Sequence, residues 1–419
     1  MVVKKTIKAA TPSIFLSLYH YLWALLGALV FFLPSRRITV IGVTGTKGKT
    51  STTEFLNAIF EEAGYTTAVL NSIRIKTGST EKRNLKRMSM PGRFGMQKFL
   101  ASAIDHDCTV AIIEMTSEGA SQHRHRFINL DGLIFTNLAP EHLDSHGSLE
   151  AYVDAKLSIG RSVIRSSKPR RVIIANADDA LGEKFLSLAS DERIPYSIHQ
   201  VEPYRADENG GQFRFGDSTA YIALPGVFSI YNALAAAVTA KAFGINEPDI
   251  IRGLARVKEI PGRAQAIREG QPFSVIIDYA HTPDSLTSLY DAYKNKRLLC
   301  VLGGTGGGRD LWKRPVMGKI ADERCAEVIL TTEDPYDEDP RSIADMMSRD
   351  MKRPPNIILD RRLAIREALS RALGNDAVLI TGKGSEPSIH AAGGEDIPWS
   401  DEVVVREELK ALVNARAKV

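Results

Sequence analysis

The sequence predicts an α/β protein with two mainly parallel sheets, one central and one C-terminal, preceded by an apolar helix. Three observations carry that expectation. From Arg37 onward, short β-branched runs alternate with longer helical patterns, which is how a parallel sheet flanked by helices reads. A glycine-rich turn, Gly42 to Thr50, closes the first of those runs and opens a helix. Ahead of them lies a 20-residue stretch without formal charge, Ile14 to Leu33.

At 419 residues, 44% hydrophobic and 25% charged, the chain can bury two or three separate cores. A formal charge of +4 is too small at this length to indicate nucleic acid, which is excluded as a partner. Cys108, Cys300 and Cys325 lack metal-ligand spacing and each lies in or beside an apolar run. The expectation is a reducing cytoplasm and no structural disulfide.

The apolar stretch Ile14–Leu33 is long enough to cross a bilayer as a helix. Lys4, Lys5 and Lys8 precede it and Arg36 and Arg37 follow, so flanking charge leaves its orientation open. No small-x-small cleavage site follows, which argues against a removed signal peptide. Ser17, His20, Ala24 and Gly27 recur at helical spacing and form a stripe suited to close packing. A membrane-associated helix is the favoured reading, and a helix docked on the protein body is the alternative.

The strands expected next are Ile38–Val43, Thr109–Glu114, Gly132–Thr136 and Arg171–Asn176. A second series is Ser274–Asp278, Leu298–Gly303, Glu327–Thr331, Asn356–Leu359 and Ala377–Thr381. Between the two series lie a helical passage, Asn232–Phe243, and the turn-forming Ile260-Pro261-Gly262-Arg263. The expected divisions are therefore 1–37, 38–260 and 261–419.

Gly42-Val43-Thr44-Gly45-Thr46-Lys47-Gly48-Lys49-Thr50 is the strongest local signal. Glycines let backbone amides and a helix N-terminus close around phosphate oxygens. In such a loop Lys49 neutralises the β- and γ-phosphates and the Thr50 hydroxyl ligates Mg²⁺. The spacing departs from the standard phosphate-loop pattern, since five residues rather than four separate Gly42 from Gly48.

The shorter Gly-Thr-x-Gly-Lys-Thr form resembles the Mur ligase and folylpolyglutamate synthetase superfamily, and further motifs extend the likeness. Glu114-Met115-Thr116-Ser117-Glu118-Gly119 with Gln122-His123-Arg124 is similar to a segment of the muramoyl-tripeptide synthetases. So are Thr136-Asn137-Leu138, Glu141-His142-Leu143-Asp144-Ser145-His146-Gly147, and Tyr152 with Lys156. Ile277-Asp278-Tyr279-Ala280-His281-Thr282-Pro283, Arg309-Asp310 with Lys313-Arg314-Pro315 and Met317-Gly318, and Gly382-Lys383-Gly384-Ser385-Glu386 complete the series. The resemblance covers roughly Ile38 to Glu408 and implies a P-loop central domain followed by a Rossmann-like ligase domain.

The implied activity is ATP-dependent amide-bond formation between an amino acid and a carboxylate on a muramoyl-peptide-type acceptor. A carboxylate is a poor electrophile, so ATP first makes it an acyl phosphate, which an amine then attacks. Both steps gather anions, and positioned cations are the remedy. The resemblance assigns Lys49, Glu114, His142 and Lys156 to catalysis, with Thr50, Glu114, His142 and a carbamylated Lys156 around Mg²⁺. It assigns ATP to Gly45, Thr46, Lys47, Gly48, Lys49, Thr50, Asn232, Arg263, Asp278, Tyr279 and His281, with Asn232 near the adenine. Ser89, Ser117, Gln122 and Arg124 fall to the acceptor, and Glu333, Asp334, Gly382 and Glu386 to the incoming amino acid. Taken outside their motifs, His142 and Lys156 read as surface residues and Asp278 as a turn-former.

Three departures from the family's pattern bear on substrate. Glu333-Asp334-Pro335-Tyr336 stands where enzymes using meso-diaminopimelate carry Asp-Asn-Pro and an arginine. The fork for a second carboxylate is missing, and two acids beside the pocket favour a basic side chain such as lysine or ornithine. About 37 residues precede the first strand where the muramoyl-tripeptide synthetases carry a UDP-gripping domain. Between Arg74 and Arg93 stand seven basic residues and one acid, which reads equally as a solvated loop or as a hold for pyrophosphate or an anionic membrane surface. A monomeric enzyme at the inner face of the membrane is the leading expectation. A ligase for a lipid-linked or other acceptor, and an inactive nucleotide-binding scaffold, are the competing ones.

Overall fold

The computed structural model describes residues 13–86, 88–139 and 147–416. Two compact units divide it, and each is built on its own sheet.

Residues up to Pro203, with Phe213–Ala220 and Tyr231–Arg256, form the first unit. After helix α1 (Ser13–Val30) come β1 (Thr39–Thr44), α2 (Lys49–Glu62), β2 (Thr67–Leu70), β3 (Arg74–Thr77) and β4 (Thr80–Arg83). Then follow α3 (Arg93–Asp105), β5 (Val110–Glu114), α4 (Ser117–Ser121), β6 (Gly132–Phe135), α5 (Leu149–Ile164), β7 (Val172–Asn176), α6 (Gly182–Leu186) and β8 (Glu192–Tyr196). The sheet order is β4-β3-β2-β5-β1-β6-β7-β8. β1 lies parallel between β5 and β6, and its residues from Val40 to Thr44 are buried. A strand covered on both faces cannot alternate polar and apolar positions, which is why these runs read as continuous β-branched blocks.

Small antiparallel strands β9 (Arg205–Asp207), β10 (Gly210–Phe215) and β11 (Ser218–Ile222) follow in the chain, then α7 (Val227–Ala242) and α8 (Glu247–Arg256). Most of the second unit runs from Val257 onward: β12 (Gln265–Ala266), β13 (Ser274–Asp278), α9 (Pro283–Ala292), β14 (Arg297–Leu302), α10 (Lys313–Arg324) and β15 (Glu327–Leu330). It continues with α11 (Pro340–Ser348), β16 (Asn356–Ile357), α12 (Arg361–Arg371), β17 (Asp376–Thr381), β18 (Ser388–His390), β19 (Asp396–Pro398) and α13 (Asp401–Arg416). Its main sheet has the order β12-β13-β17-β14-β15-β16 and is parallel apart from β12. Parallel pairing sets the C-terminal strand ends, and the loops leaving them, along one edge in each unit.

All nine expected strands are present, with ends shifted by one or two residues. Four expectations change. The apolar N-terminal helix stops at Val30 rather than Leu33, because Phe32 and Leu33 turn to positive φ (55° and 50°) ahead of Pro34, where proline disfavours helix in its predecessor. Among the described residues no helix is long and apolar enough to cross a membrane. Helix α1 instead docks on α3: Ala24 and Ala28 are buried and Gly27 lies against the backbone of Arg93 and Phe94.

The basic run Arg74–Arg93 is not a loop at its start but the antiparallel hairpin β3–β4. Arg74 pairs with Glu54 and Glu81, and Lys76 with Glu61. Burial opposes charge on Arg74, but Glu54 and then Glu81 outweigh it and raise the guanidinium above its usual range. Two of the seven cations are therefore already paired. Arg87 lies outside the described residues.

Cys300 and Cys325 form a disulfide, with Cα atoms 6.2 Å apart. Cys300 sits in β14 and Cys325 caps α10, so the strand–helix return brings together two thiols that look isolated in sequence. The compartment argument from unpaired cysteines falls with it. Cys108 remains free and buried.

Candidate active site

In the first unit the loop after β1 is held from several sides. Gly45 and Gly48 have φ of 146° and 80°, which favours glycine. Space is equally restrictive, since a Cβ on Gly45 would stand 1.9 Å from Thr136 Oγ1 and one on Gly48 2.1 Å from Asn232 Oδ1. The loop leaving β6 braces it further. Asn137 O accepts from the Thr46 amide at 2.8 Å, Asn137 Oδ1 accepts from the Lys47 amide at 2.9 Å, and Thr136 Oγ1 donates to Lys47 O at 2.7 Å. The Thr136-Asn137-Leu138 motif thus buttresses the phosphate loop. Asn232, assigned to the adenine from sequence, stands against the loop's second glycine.

Two lysines meet at this loop. Lys49 Nζ donates to Gly45 O at 3.1 Å and Thr46 O at 2.9 Å. Lys156, on α5 and 2% exposed, donates to the same Gly45 O at 2.7 Å and lies 4.7 Å from the Tyr152 ring centre. Tyr152 in turn shares a 2.8 Å hydrogen bond with Thr46 Oγ1. Lys49 and Lys156 thus share one carbonyl oxygen, that of Gly45.

Thr50 Oγ1 donates to Glu114 Oε2 at 2.8 Å and lies 2.9 Å from Ser72 Oγ. The Ser72 amide donates to the same carboxylate oxygen at 3.1 Å. Thr50 and Glu114, 64 positions apart, meet because β1 and β5 are parallel neighbours. No motif marks Ser72, which leaves β2 in the loop that follows it. Among the described residues no three His, Cys, Asp or Glu side chains gather as a metal site. The set at Thr50 is hydroxyl and carboxylate oxygen, the hard donors that suit Mg²⁺. His142 lies outside the described residues.

Of the proposed acceptor residues, Gln122 and Arg124 adjoin each other, with Arg124 Nη2 donating to Gln122 Oε1 at 2.7 Å. Arg124 Nη1 also donates to Met90 O, next to the buried Ser89. Ser117 opens α4 directly below Thr116, whose hydroxyl caps that helix.

The second unit gathers its own set along the C-terminal edge of its sheet. Asp278 accepts the Ala264 amide at 2.6 Å and the Ala280 amide at 2.7 Å, the turn-forming role that an aspartate ending a strand often plays. Arg263 stacks on Tyr279 at 4.6 Å, and His281 Nδ1 lies 2.7 Å from Tyr279 O. Tyr279 Oη donates to Glu386 Oε1 at 3.2 Å, while Lys383 Nζ bridges Glu386 and Asp334, each at 2.6 Å. Lys383 is fully buried. The charge of Asp334 is therefore matched inside the unit, and the two acids expected beside the pocket reduce to Glu333.

Glu333 is buried between Thr305, which donates to Oε1 at 2.7 Å, and Gly382, whose added Cβ would stand 2.6 Å from Oε2. Oε2 has no hydrogen-bond partner. Burial, then the neighbouring Asp334 charge, push its carboxyl up to about 7, with Thr305 and Lys383 pulling the other way. The folded state holds this proton more tightly than the unfolded chain does, so its contribution is present at low pH. It is lost as pH rises from the ordinary carboxylate range through 7. Glu333→Gln is therefore expected to melt about 3 °C or more above the wild type at pH 8.5, the gap closing by pH 5. A melting difference independent of pH would place the titration elsewhere.

Comparison with known proteins follows the same division. Sequence-family models for the Mur ligase middle domain and for the Mur ligase glutamate ligase domain match residues 43–240 and 262–384. A UDP-N-acetylmuramoyl-L-alanyl-D-glutamate–2,6-diaminopimelate ligase of Syntrophomonas wolfei is 36% identical over 406 residues, covering 93% of this chain and 82% of that one. A UDP-N-acetylmuramyl-tripeptide synthetase of Roseiflexus is 34% identical, covering 90% and 80%. A solved UDP-N-acetylmuramoyl-L-alanyl-D-glutamate–2,6-diaminopimelate ligase superposes with a TM-score of 0.62 at 27% identity, over 90% of this chain and 79% of that one. The folylpolyglutamate synthase of Mycobacterium tuberculosis, complexed with ADP and AMPPCP, shares the fold with a TM-score of 0.69 at 16% identity, over 94% and 95%.

Proposed function

The chain belongs to the Mur ligase family, and from that premise we propose how it joins an amino acid to the free carboxylate of a muramoyl-peptide-type cell-wall precursor. The reaction consumes ATP and forms ADP. A carboxylate oxygen of the acceptor attacks the γ-phosphorus and ADP departs, leaving an acyl phosphate. The amino acid's nitrogen then attacks the acyl carbon, phosphate leaves, and the nitrogen loses a proton.

The observation that carries this reading is the convergence of Lys49, Lys156, Thr50 and Glu114 on the single loop after β1. Loop amides and Lys49 hold the phosphates and neutralise the charge that builds as the carboxylate approaches. Mg²⁺ would be held by the oxygens of Thr50 and Glu114 with His142 and a carbamylated Lys156, and would supply further charge neutralisation at the phosphates. Asn232 fixes the loop through Gly48. Arg263, Asp278, Tyr279 and His281 are assigned to ATP, and Ser89, Ser117, Gln122 and Arg124 to the acceptor. The test is release of phosphate from ATP, measured with acceptor and amino acid together and singly. Release that needs both supports the ligase; nucleotide binding without release supports the inactive scaffold instead.

The incoming amino acid is assigned to Glu333, Asp334, Gly382 and Glu386, with a basic side chain favoured. What supports this is Tyr336 in place of an arginine and the buried Glu333 carboxyl, whose Oε2 has no hydrogen-bond partner. L-Lysine is expected to give a higher kcat/KM than meso-diaminopimelate, by about tenfold or more. A clear preference for diaminopimelate would overturn the assignment, and the names of the relatives make that comparison the informative one.

We take residues 1–37, 38–260 and 261–419 as the apolar helix, the ATP-binding domain and the C-terminal ligase domain. The extents of the family matches support the second limit. The chain is placed in the cytoplasm as a monomer, where ATP and amino acids are supplied, with α1 at the inner face of the membrane.

A further inference from the structure

Helix α1 is two-sided in an unusual sense: its inner face is small and its outer face is large and apolar. Phe15, Leu18, Leu22, Leu26 and Leu29 are 46–63% exposed and Phe32 is 85% exposed. The five within the helix, Phe15 to Leu29, recur at three- and four-residue steps and so share one stripe. Contiguous exposed apolar surface of this extent marks a contact face.

The rim of that face is cationic. Before Glu54 the sequence contains no acid. Arg36 and Arg37 are exposed at the end of the helix. Along its flank, Ser17 Oγ lies 2.8 Å from His123 Nε2, and Tyr21 meets the His123 and Phe127 rings edge-on. Arg93 and Arg126 stand beside this contact. Arg93 Nε donates to Gln122 O at 3.0 Å, while Arg93 Nη2 and Arg126 Nε are buried and without hydrogen-bond partners. Among the described residues no carboxylate pairs with either. Burial, then Arg124, depresses the Arg93 guanidinium, and burial, then Arg165, depresses that of Arg126. Glu118 acts on the neighbouring Arg124. Partly buried cations left unpaired cost stability until an anion reaches them.

We propose that α1 is an in-plane lipid-docking helix, its apolar stripe set into the acyl boundary of an anionic bilayer and Arg36, Arg37, Arg93 and Arg126 meeting lipid phosphates. Among the described residues no helix is long and apolar enough to span, and α1 is fastened inward by Ala24, Gly27 and Ala28, which favours the interfacial orientation. A second copy of this chain is a poorer occupant, because a two-fold contact would set the same unpaired arginines against each other. The proposal rests on the inner-face placement and not on the ligase chemistry, so vesicle binding and ATP turnover can fail separately.

Sedimentation of the full chain with vesicles tests it. Binding to phosphatidylcholine vesicles containing phosphatidylglycerol is expected to exceed binding to phosphatidylcholine alone by about tenfold or more. Leu22→Glu with Leu26→Glu is expected to abolish it, both positions being exposed enough for the fold to tolerate the change. Arg93→Gln with Arg126→Gln is expected to weaken anionic-vesicle binding about tenfold with no fall in melting temperature. No binding to either vesicle, equal binding to both, or a soluble dimer that the glutamate pair dissolves would each overturn the proposal.

Discussion

Lys49→Ala is expected to lower phosphate release dependent on acceptor and amino acid by about 10³-fold or more, with a melting temperature close to that of the wild type. The reason for the separation lies in what Lys49 touches. Its ammonium reaches two carbonyl oxygens of its own loop, Gly45 and Thr46, and it is only half-buried. Losing two such contacts costs about 1 kcal/mol, because Gly45 O keeps its bond from Lys156. The loop keeps its shape through Thr136, Asn137 and Asn232, none of which depends on the lysine side chain. What disappears is a full positive charge where three phosphate groups and a carboxylate must approach one another. Lys49→Arg does not restore it, since a planar fork does not replace a compact ammonium in a glycine-lined turn. Turnover of Lys49→Ala within tenfold of the wild type would remove Lys49 from the reaction.

Much of this arrangement was readable before any coordinates, for identifiable reasons. The central strands, such as β1, β5, β7 and β17, are buried throughout or nearly so, so each appears as a largely apolar block, and the phosphate loop declares itself through glycines at positions where a side chain would clash. Pairings that depend on tertiary neighbours were not readable. Ser72 carries no motif and reaches Thr50 and Glu114 only because β2 and β1 flank β5. Arg74 looks like part of a free basic run until α2 brings Glu54 beside it. Asp334 looks like an unspent acid until Lys383, 49 positions on, is buried against it. Cys300 and Cys325 become partners only through the path of α10. In each case composition shows the charge or thiol, and the partner lies on a different element.

Lys156→Ala is expected to lose turnover on the same scale as Lys49→Ala, about 10³-fold, but with a measurable cost in stability. Lys156 is almost wholly buried, with its amine on Gly45 O and its stem over Tyr152. Truncation leaves a cavity and removes one of the two donors to Gly45 O, that of Lys49 remaining, a loss of about 1–3 kcal/mol, which a protein of this size survives folded. The side chain can serve in two chemical forms. As an ammonium it braces Gly45 and adds to the charge of Lys49. As a carbamate, formed when the ammonium loses a proton and the neutral amine attacks CO₂ with loss of a second proton, it keeps one N–H for Gly45 and would offer a carboxylate for Mg²⁺. On that ground wild-type turnover is expected to fall in buffer stripped of CO₂ and to recover on adding bicarbonate, while Lys156→Ala responds to neither. A wild-type enzyme indifferent to CO₂, beside an inactive alanine variant, would leave Lys156 as a brace for the phosphate loop and withdraw the carbamate.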